Sequence, residues 1–140
     1  MALAAIALGS NLGDPRANVE RAITLLSGLG TVTKRSTLHE TKPWGVEDQP
    51  DFINAVALLE TQLAPRELLA ALQGIERDMG RTPTYKWGPR VIDLDIILYD
   101  DITVDEEDLK IPHPHFRERD FVLKPLAEID GRYSAPSTPA

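Results

Sequence analysis

The 140-residue chain contains no cysteine, which excludes a disulfide framework, a thiolate metal site and a thiol nucleophile. It also lacks an excess of positive charge, and its net charge of −7 argues against an extended nucleic-acid-binding surface. No apolar run is long enough to span a membrane, and the apolar segment 1–8 lacks the basic region of a signal peptide. These absences predict a cytoplasmic protein that binds neither nucleic acid nor membrane.

The composition is that of a soluble globular protein, with 42% hydrophobic and 26% charged residues. A chain of this length forms one domain that can bury a core of its own. We expect a single domain over residues 1–133, followed by a flexible tail over 134–140 that is rich in Pro and Ser. We also expect a monomer.

Hydrophobic periodicity predicts the order strand, helix, strand, strand, helix, strand. The predicted strands cover residues 3–8, 31–40, 52–59 and 93–99. The predicted helices begin at Pro15, after Asp14 as N-cap, and at Pro65, with Gly80 after the second helix. This order predicts an α+β fold with a ferredoxin-like β-α-β-β-α-β core and a mostly antiparallel sheet. We expect additional C-terminal helices or strands on the other side of the sheet, giving an α/β/α sandwich.

Two carboxylates, Asp93 and Asp95, interrupt the last apolar strand. Side chains in a strand alternate, so both leave the same face with their Cα atoms roughly 7 Å apart. A hard divalent cation suits two such carboxylates, and Mg²⁺ commonly takes one or two of them together with substrate phosphates. In isolation, however, an Asp pair of this kind is more often bonded to Arg or Lys on an edge strand. Sequence context must decide between the two.

The loop that leads into this strand, residues 81–90, combines three cations with Trp87 and two prolines. Arg81 and Arg90 suit bidentate contacts to phosphate oxygens, and Lys86 supplies a point charge. The loop therefore predicts an anion clamp that closes over a phosphate chain and excludes water. The alternative is a surface loop with solvated cations.

The positions of several other residues in the predicted strands and helices allow either ligand binding or a structural role. Asn54 lies inside the most apolar strand, where its amide must be satisfied either by nearby backbone or by a heterocycle edge. Phe52 shares its face, which suits a flat ring, although such a Phe is more often core. Gln73 and Glu76 project together from the second helix, where a solvated face is the simpler interpretation. His39 is interpreted as structural, and the acidic stretch 100–108 as solvated surface.

Four ordered blocks of the sequence resemble the 6-hydroxymethyl-7,8-dihydropterin pyrophosphokinase family of folate biosynthesis. They are residues 9–13 (GSNLG), 48–54 (DQPDFIN), 87–95 (WGPRVIDLD) and 111–114 (IPHP), and together they span most of the chain. The resemblance implies an α/β sandwich and an enzyme that transfers the terminal diphosphate of ATP to the pterin hydroxymethyl oxygen, leaving AMP. It also implies two Mg²⁺ ions, held by Asp93 and Asp95.

The resemblance implies roles for further residues. Catalysis would depend on Asp93 and Asp95 together with the phosphate-clamping Arg81 and Arg90. The positions that line the ATP site in the family are Gln73, Glu76, Lys86, Trp87, Ile96, His113 and Arg119. The pterin would be held by the Asn54 amide, by rings of Phe52 and Phe121 on its two faces, and by the backbone of Thr41, Pro43 and Trp44. Asp108 and Lys110 depart from the family pattern near the nucleotide.

Two other functions fit parts of the same pattern. A two-metal nucleotidyl transferase or cyclase also places paired Asp on a ferredoxin-like strand, but the acidic balance disfavours a nucleic-acid substrate. A non-catalytic ligand-binding domain of this fold would use the Asp pair for structural ion pairs. Which nucleotide product is released distinguishes these alternatives.

Overall fold

The computed structural model describes residues 1–41, 51–80, 91–114 and 116–130. Within these ranges the elements, in chain order, are β1 (Ala2–Ser10), α1 (Pro15–Leu26), β2 (Thr31–Arg35), β3 (His39–Thr41), β4 (Phe52–Thr61), α2 (Pro65–Asp78), β5 (Asp93–Tyr99), β6 (Val104–Glu106), β7 (Leu109–Ile111) and α3 (Asp120–Ile129). A short 3-10 turn, Phe116–Glu118, precedes α3. The predicted ferredoxin-like order is confirmed, and the predicted C-terminal additions are a hairpin and a helix.

The main sheet has the strand order β2-β4-β1-β5, and β3 pairs with the first part of β4. All these pairings are antiparallel. The long central strands β1 and β4 are almost entirely apolar and buried, as expected for strands covered on both faces. The small strands β6 and β7 form a separate hairpin.

The sheet separates two hydrophobic layers. On one face, α1 and α2 pack through residues such as Val19, Leu26, Leu68 and Leu72. On the other face, the 3-10 turn and α3 pack through residues such as Phe116 and Leu126 against Val56 and Ile97. Within a strand, alternate residues contribute to opposite layers. The α/β/α sandwich that was predicted is therefore the observed architecture, and we call the second side the α3 face.

The helix boundaries follow the sequence signals. The Asp14 side chain accepts a hydrogen bond from the Ala17 amide at 3.2 Å, and Pro15 is the first residue of α1. Pro65 begins α2, and Gly80 follows this helix with a φ of 90°. Only glycine adopts this left-handed conformation without strain, so Gly80 ends the helix.

One prediction about local structure was wrong. The strand predicted over 31–40 is divided into β2 and β3, because buried Ser36 bonds to Val56 through both its amide, at 2.9 Å, and its hydroxyl, at 3.0 Å. The acidic stretch 100–108 is exposed, as predicted, and it also contributes to the β6–β7 hairpin. Arg66 of α2 bonds to Glu106 and Asp108 of this hairpin. The hydrogen bonds that Arg66 donates to Asp108 and Glu106 raise the pKa of its guanidinium above its ordinary range.

Candidate active site

One row of residues crosses four strands on the α3 face. Gly9 of β1 lies opposite Asn54 of β4 on one side and opposite Asp93 of β5 on the other. His39 of β3 extends the row beyond Asn54. Neighbouring strands are spaced by about 4.8 Å, so the backbones at Asn54 and Asp93 are separated by roughly 10 Å. The predicted heterocycle-reading amide and the predicted metal-binding carboxylate are thus neighbours across one glycine.

Gly9 leaves the space between them open. A Cβ atom at this position would lie 3.1 Å from Asn54 Oδ1 and 3.8 Å from a ring carbon of Phe52. The first distance is shorter than ordinary van der Waals contact, so any side chain here would press on the Asn54 amide. Gly9 therefore forms the floor between Asn54 and Asp93. The sequence alone predicted no role for Gly9.

The Asn54 amide is held in one orientation by a neighbouring strand. Its Nδ2 donates to Thr41 Oγ1 at 2.6 Å, and the Asn54 side chain is almost fully buried. The partner is therefore a side-chain hydroxyl, and not the nearby backbone that the simpler interpretation expected. Thr41 was expected to contribute its backbone to a pterin pocket, and its hydroxyl sets the Asn54 orientation in addition. This orientation directs Oδ1 toward Gly9.

Asp93 and Asp95 both lie on the α3 face, because the intervening Leu94 packs in the opposite hydrophobic layer. Both residues are half-buried. Asp95 lies opposite the small Ala7, which leaves room above the sheet beside its carboxylate. Across the described residues, no cluster of three or more His, Cys, Asp or Glu side chains forms a metal site. The chemistry of two carboxylates on one face fits Mg²⁺ ions, which commonly complete their shells with phosphate oxygens and water.

Glu76 does not lie on a solvated helix face. It is 8% exposed, and its Oε2 accepts a hydrogen bond of 2.9 Å from the Leu94 amide. Leu94 is the residue between the two aspartates. The carboxylate of α2 is therefore bonded to the backbone of the strand that carries the candidate metal ligands, a relationship that helical periodicity alone does not reveal.

Two aromatic residues from different elements lie on the α3 face. Phe52 is half-buried at the start of β4, and Phe121 is half-buried in the first turn of α3, against the second hydrophobic layer. The guanidinium of Arg119, which precedes α3, lies 5.7 Å from the centre of the Phe121 ring. Both rings thus border the α3 face, where the predicted pterin would stack.

The remaining predicted ATP-site residues have different surroundings. His113 lies next to β5, since its amide donates to the Ile97 carbonyl at 2.9 Å. Gln73 is exposed on α2, one turn before Glu76. The Ile96 side chain is buried in the layer under α1 and α2, on the opposite face from the carboxylates. Any contact of Ile96 with ATP therefore falls to its backbone atoms.

Several predicted residues lie outside the described ranges. They are Pro43 and Trp44 of the pterin set and Arg81, Lys86, Trp87 and Arg90 of the phosphate clamp. Asp108 and Lys110, which depart from the family pattern, have partners on α2 and on the hairpin itself. Asp108 bonds to Arg66 and Lys110 Nζ bonds to Asp105 at 2.7 Å.

A polar cluster joins α3 to the edge of the sheet beside this row. Glu128 accepts hydrogen bonds from the Thr37 amide at 2.6 Å, from the Thr37 hydroxyl at 3.0 Å, and from His39 Nε2 at 2.9 Å. Burial alone would raise the pKa of Glu128, but the bonds from Thr37 and His39 outweigh it and lower this pKa. His39 is thus structural, as predicted. The sequence offered no signal for Glu128 because its partners are 89 and 91 residues away.

A sequence profile of the 7,8-dihydro-6-hydroxymethylpterin-pyrophosphokinase (HPPK) family matches residues 5–131. The chain belongs to this family. Membership confirms the predicted enzyme class, a pyrophosphokinase acting on hydroxymethyldihydropterin. The four sequence blocks and the row through Gly9 lie within the matched region.

Individual relatives agree with the family assignment. The 2-amino-4-hydroxy-6-hydroxymethyldihydropteridine pyrophosphokinase of Bacillus subtilis is 46% identical over 140 residues, which cover 99% of this chain and 84% of the relative. The enzyme of the same name from Aquifex aeolicus is 43% identical, over 93% of this chain and 81% of the relative. The mitochondrial folate synthesis bifunctional protein of Pisum sativum is 46% identical, but the match covers only 25% of its length.

Solved structures support the fold. The wild-type HPPK-DHPS structure of Plasmodium falciparum superposes with a TM-score of 0.72 at 16% identity. The match covers 96% of this chain and 41% of that protein. At this identity the similarity establishes the ferredoxin-like HPPK fold and nothing finer. In the part of the chain that the structure describes, no helix is long and apolar enough to cross a membrane.

Proposed function

We propose that this chain transfers diphosphate from ATP to the hydroxymethyl group of 6-hydroxymethyl-7,8-dihydropterin, releasing AMP, and that it does so with Mg²⁺. The observation that carries the proposal is the row in which Asn54 and Asp93 flank Gly9. The Asn54 amide can bind the edge of a heterocycle and the Asp93 carboxylate can bind a cation, and the two backbones are about 10 Å apart. This arrangement suits a substrate whose ring and reacting hydroxyl are close together.

The pterin is oriented by the row and its flanking rings. The Asn54 amide offers an acceptor whose direction is set by Thr41, and it reads the edge of the ring. Phe52 and Phe121 stack on the two faces of the ring, and the backbone of Thr41, Pro43 and Trp44 completes the pocket. Gly9 keeps the floor flat so that the hydroxymethyl group extends toward Asp93. Orientation of this kind replaces a bimolecular encounter by a near-attack geometry.

Asp93 and Asp95 would hold two Mg²⁺ ions on the same face. Such ions would neutralise phosphate charge and make the substrate hydroxyl a better nucleophile. The two carboxylates leave coordination positions for substrate oxygens, which two-carboxylate Mg²⁺ sites require. No strong protein base is needed for this chemistry.

The phosphates are bound by cationic side chains around the pair. Arg81 and Arg90 clamp the transferred diphosphate, Lys86 adds a charge, and Trp87 closes the loop so that water is excluded. Gln73, Ile96, His113 and Arg119 line the ATP site, with Ile96 acting through its backbone, and Glu76 lies one turn after Gln73 on α2. We further propose that the enzyme is a cytoplasmic monomer whose single domain ends near residue 133.

The product that is formed from ATP distinguishes this function from its alternatives. Mg-ATP incubated with the pterin is expected to yield AMP and pterin diphosphate. Asp95→Ala is expected to abolish AMP release while pterin binding, measured by fluorescence, persists within about threefold, because Asn54 and both Phe residues are unchanged. Asp101→Ala, an exposed position beyond the end of β5, is the matched control. ADP release indicates an ordinary kinase, free pyrophosphate a nucleotidyl transferase, and the absence of turnover a binding domain; each contradicts the proposal.

A further inference from the structure

A buried carboxylate outside the Asp pair is bonded to the strand that carries the pair. Glu76 is 8% exposed, and burial of a carboxylate is costly unless hydrogen bonds compensate it. One such bond is the 2.9 Å contact from the Leu94 amide to Oε2. Ordinary packing of an amphipathic helix requires no charge at this position, since the same face of α2 is otherwise formed by Leu68, Leu72 and Ile75.

The Leu94 amide bonds to a helix side chain and not to a neighbouring strand. In the described sheet, β5 is the terminal strand and pairs with β1 along one side only. The amides on the other side of a terminal strand need partners from elsewhere. The Leu94 amide obtains one from a helix that packs over the opposite face from the two aspartates.

Glu76 contacts the strand of the Asp pair at the backbone of Leu94. Together with Asp93 and Asp95 it would make three acidic groups, but the described residues contain no three-membered metal-binding cluster. The Asp side chains point to the α3 face, whereas Leu94 packs in the layer of α1 and α2. A carboxylate on that side fixes the peptide between the aspartates and thereby the directions of both side chains.

We infer that Glu76 is a positioning residue that holds Asp93 and Asp95 in the arrangement that divalent cations require, by fixing the Leu94 backbone between them. The inference rests on the proposed function for its metal, and it differs from the role in ATP contact that the family resemblance implies. Groups that orient metal ligands in this way typically change metal affinity by about 10–100-fold when removed.

Two replacements separate the hydrogen bond from the rest of the side chain. Glu76→Gln keeps an acceptor oxygen at the same length, whereas Glu76→Leu fills similar space without an acceptor. Glu67→Ala is the control, because Glu67 lies in the first turn of the same helix, nine residues before Glu76, and its side chain accepts from the Ala64 amide at 2.9 Å. Glu76→Ala serves as a third variant in which the side chain is truncated.

The first measurement requires neither metal nor substrate. Hydrogen exchange of the Leu94 amide, followed by NMR in the metal-free protein, is expected to be accelerated at least about tenfold in Glu76→Leu and Glu76→Ala and less than about threefold in Glu76→Gln. Glu67→Ala is expected to leave it unchanged. Unchanged Leu94 exchange in both Glu76→Leu and Glu76→Ala overturns the inference.

The second measurement follows the cation itself. Mn²⁺ bound to the enzyme–ATP complex, detected by electron paramagnetic resonance, is expected to dissociate at roughly tenfold lower concentrations of competitor chelator in Glu76→Leu, with Glu76→Gln restoring wild-type behaviour. Pterin binding is expected to be unaffected. A loss of metal-free ATP binding with unaltered Leu94 exchange would instead make Glu76 a direct ATP contact and overturn the inference. A wild-type protein that releases no AMP contradicts the proposed function alone, because the exchange and Mn²⁺ measurements do not depend on turnover.

Discussion

Asn54 and Asp93 lie on the two strands that flank β1 and face the same residue, Gly9, from its two sides. The backbone distance between them, about 10 Å, is therefore set by two strand spacings. Because all three residues are in regular antiparallel strands, this distance is rigid. The spacing of the strands thus fixes the distance between the amide proposed to bind one end of the substrate and the carboxylate proposed to lie near the other end.

A side chain at Gly9 is expected to disturb pterin binding. A Cβ would lie 3.1 Å from Asn54 Oδ1, and Asn54 cannot turn away without losing its bond to Thr41. Overpacking of this kind costs about 1–3 kcal/mol, so Gly9→Ala should weaken pterin binding at least about fivefold. Fluorescence titration of the pterin measures this. Gly28→Ala, where a Cβ meets only the Leu25 carbonyl at 3.4 Å, should bind normally. Equal pterin affinity of the two variants would show that the pterin does not lie over Gly9.

Removal of the Thr41 hydroxyl is expected to release the Asn54 amide. Thr41→Val keeps the shape but removes the acceptor at 2.6 Å, which leaves a buried donor without its partner. The loss is worth about 1–3 kcal/mol, and it should appear as a roughly tenfold weaker pterin affinity. Thr41→Ser keeps the hydroxyl and should retain most of the binding. ATP affinity, measured by calorimetry without pterin, should be the same in both; a parallel loss there would indicate a general defect.

The Glu128 cluster is expected to make stability depend on acid pH. The folded pKa of Glu128 is lower than the ordinary value of 4.5, so its contribution is complete above that pH and is lost as the pH falls through the lower folded value. Arg35 adds to the favourable field, since Glu128 is one of the groups that raise the pKa of Arg35. The Glu128 side chain is 33% exposed, and screening limits the contribution to about 1 kcal/mol.

Glu128→Gln tests this contribution. Urea unfolding at pH 7 should show the variant less stable than wild type by about that amount, and the difference should shrink below pH 4. Glu118→Gln serves as a control on an exposed residue near the start of the same helix. A stability difference that stays constant from pH 7 to pH 3 would contradict the assignment.

Truncation of Leu126 is expected to loosen α3 from the sheet. Leu126 is fully buried in the second hydrophobic layer, against Val56 and Ile97. Leu126→Ala should lower the free energy of unfolding by about 2–5 kcal/mol, as measured by denaturant titration. Ile102→Ala, at a side chain that is 41% exposed, should have little effect. Because Phe121 is on the same helix, pterin binding should weaken in Leu126→Ala but not in the control.

Much of the fold follows from local pattern. The Asp14 and Pro15 start, the Pro65 start and the Gly80 end are local chemical preferences, and the structure confirms each of them. The division of the predicted strand 31–40 was not visible because it depends on Ser36 bonding to Val56, twenty residues away. The acidic stretch is exposed, as its composition predicts, but its ion pairs with Arg66 of α2 were not visible, because they join residues about 40 apart in the chain.

The amino-acid sequence by itself determined the element order, the family, and the face shared by Asp93 and Asp95, because alternation and capping act over a few residues. The tertiary structure alone decided that Gly9 separates Asn54 from Asp93, that Thr41 orients the amide, and that Glu76 bonds between the aspartates. These relationships depend on strand register and on helix packing between residues that are at least 13 apart in the chain. The bonds involved, such as Asn54 to Thr41 over 13 residues and Leu94 to Glu76 over 18, form only when the chain is folded.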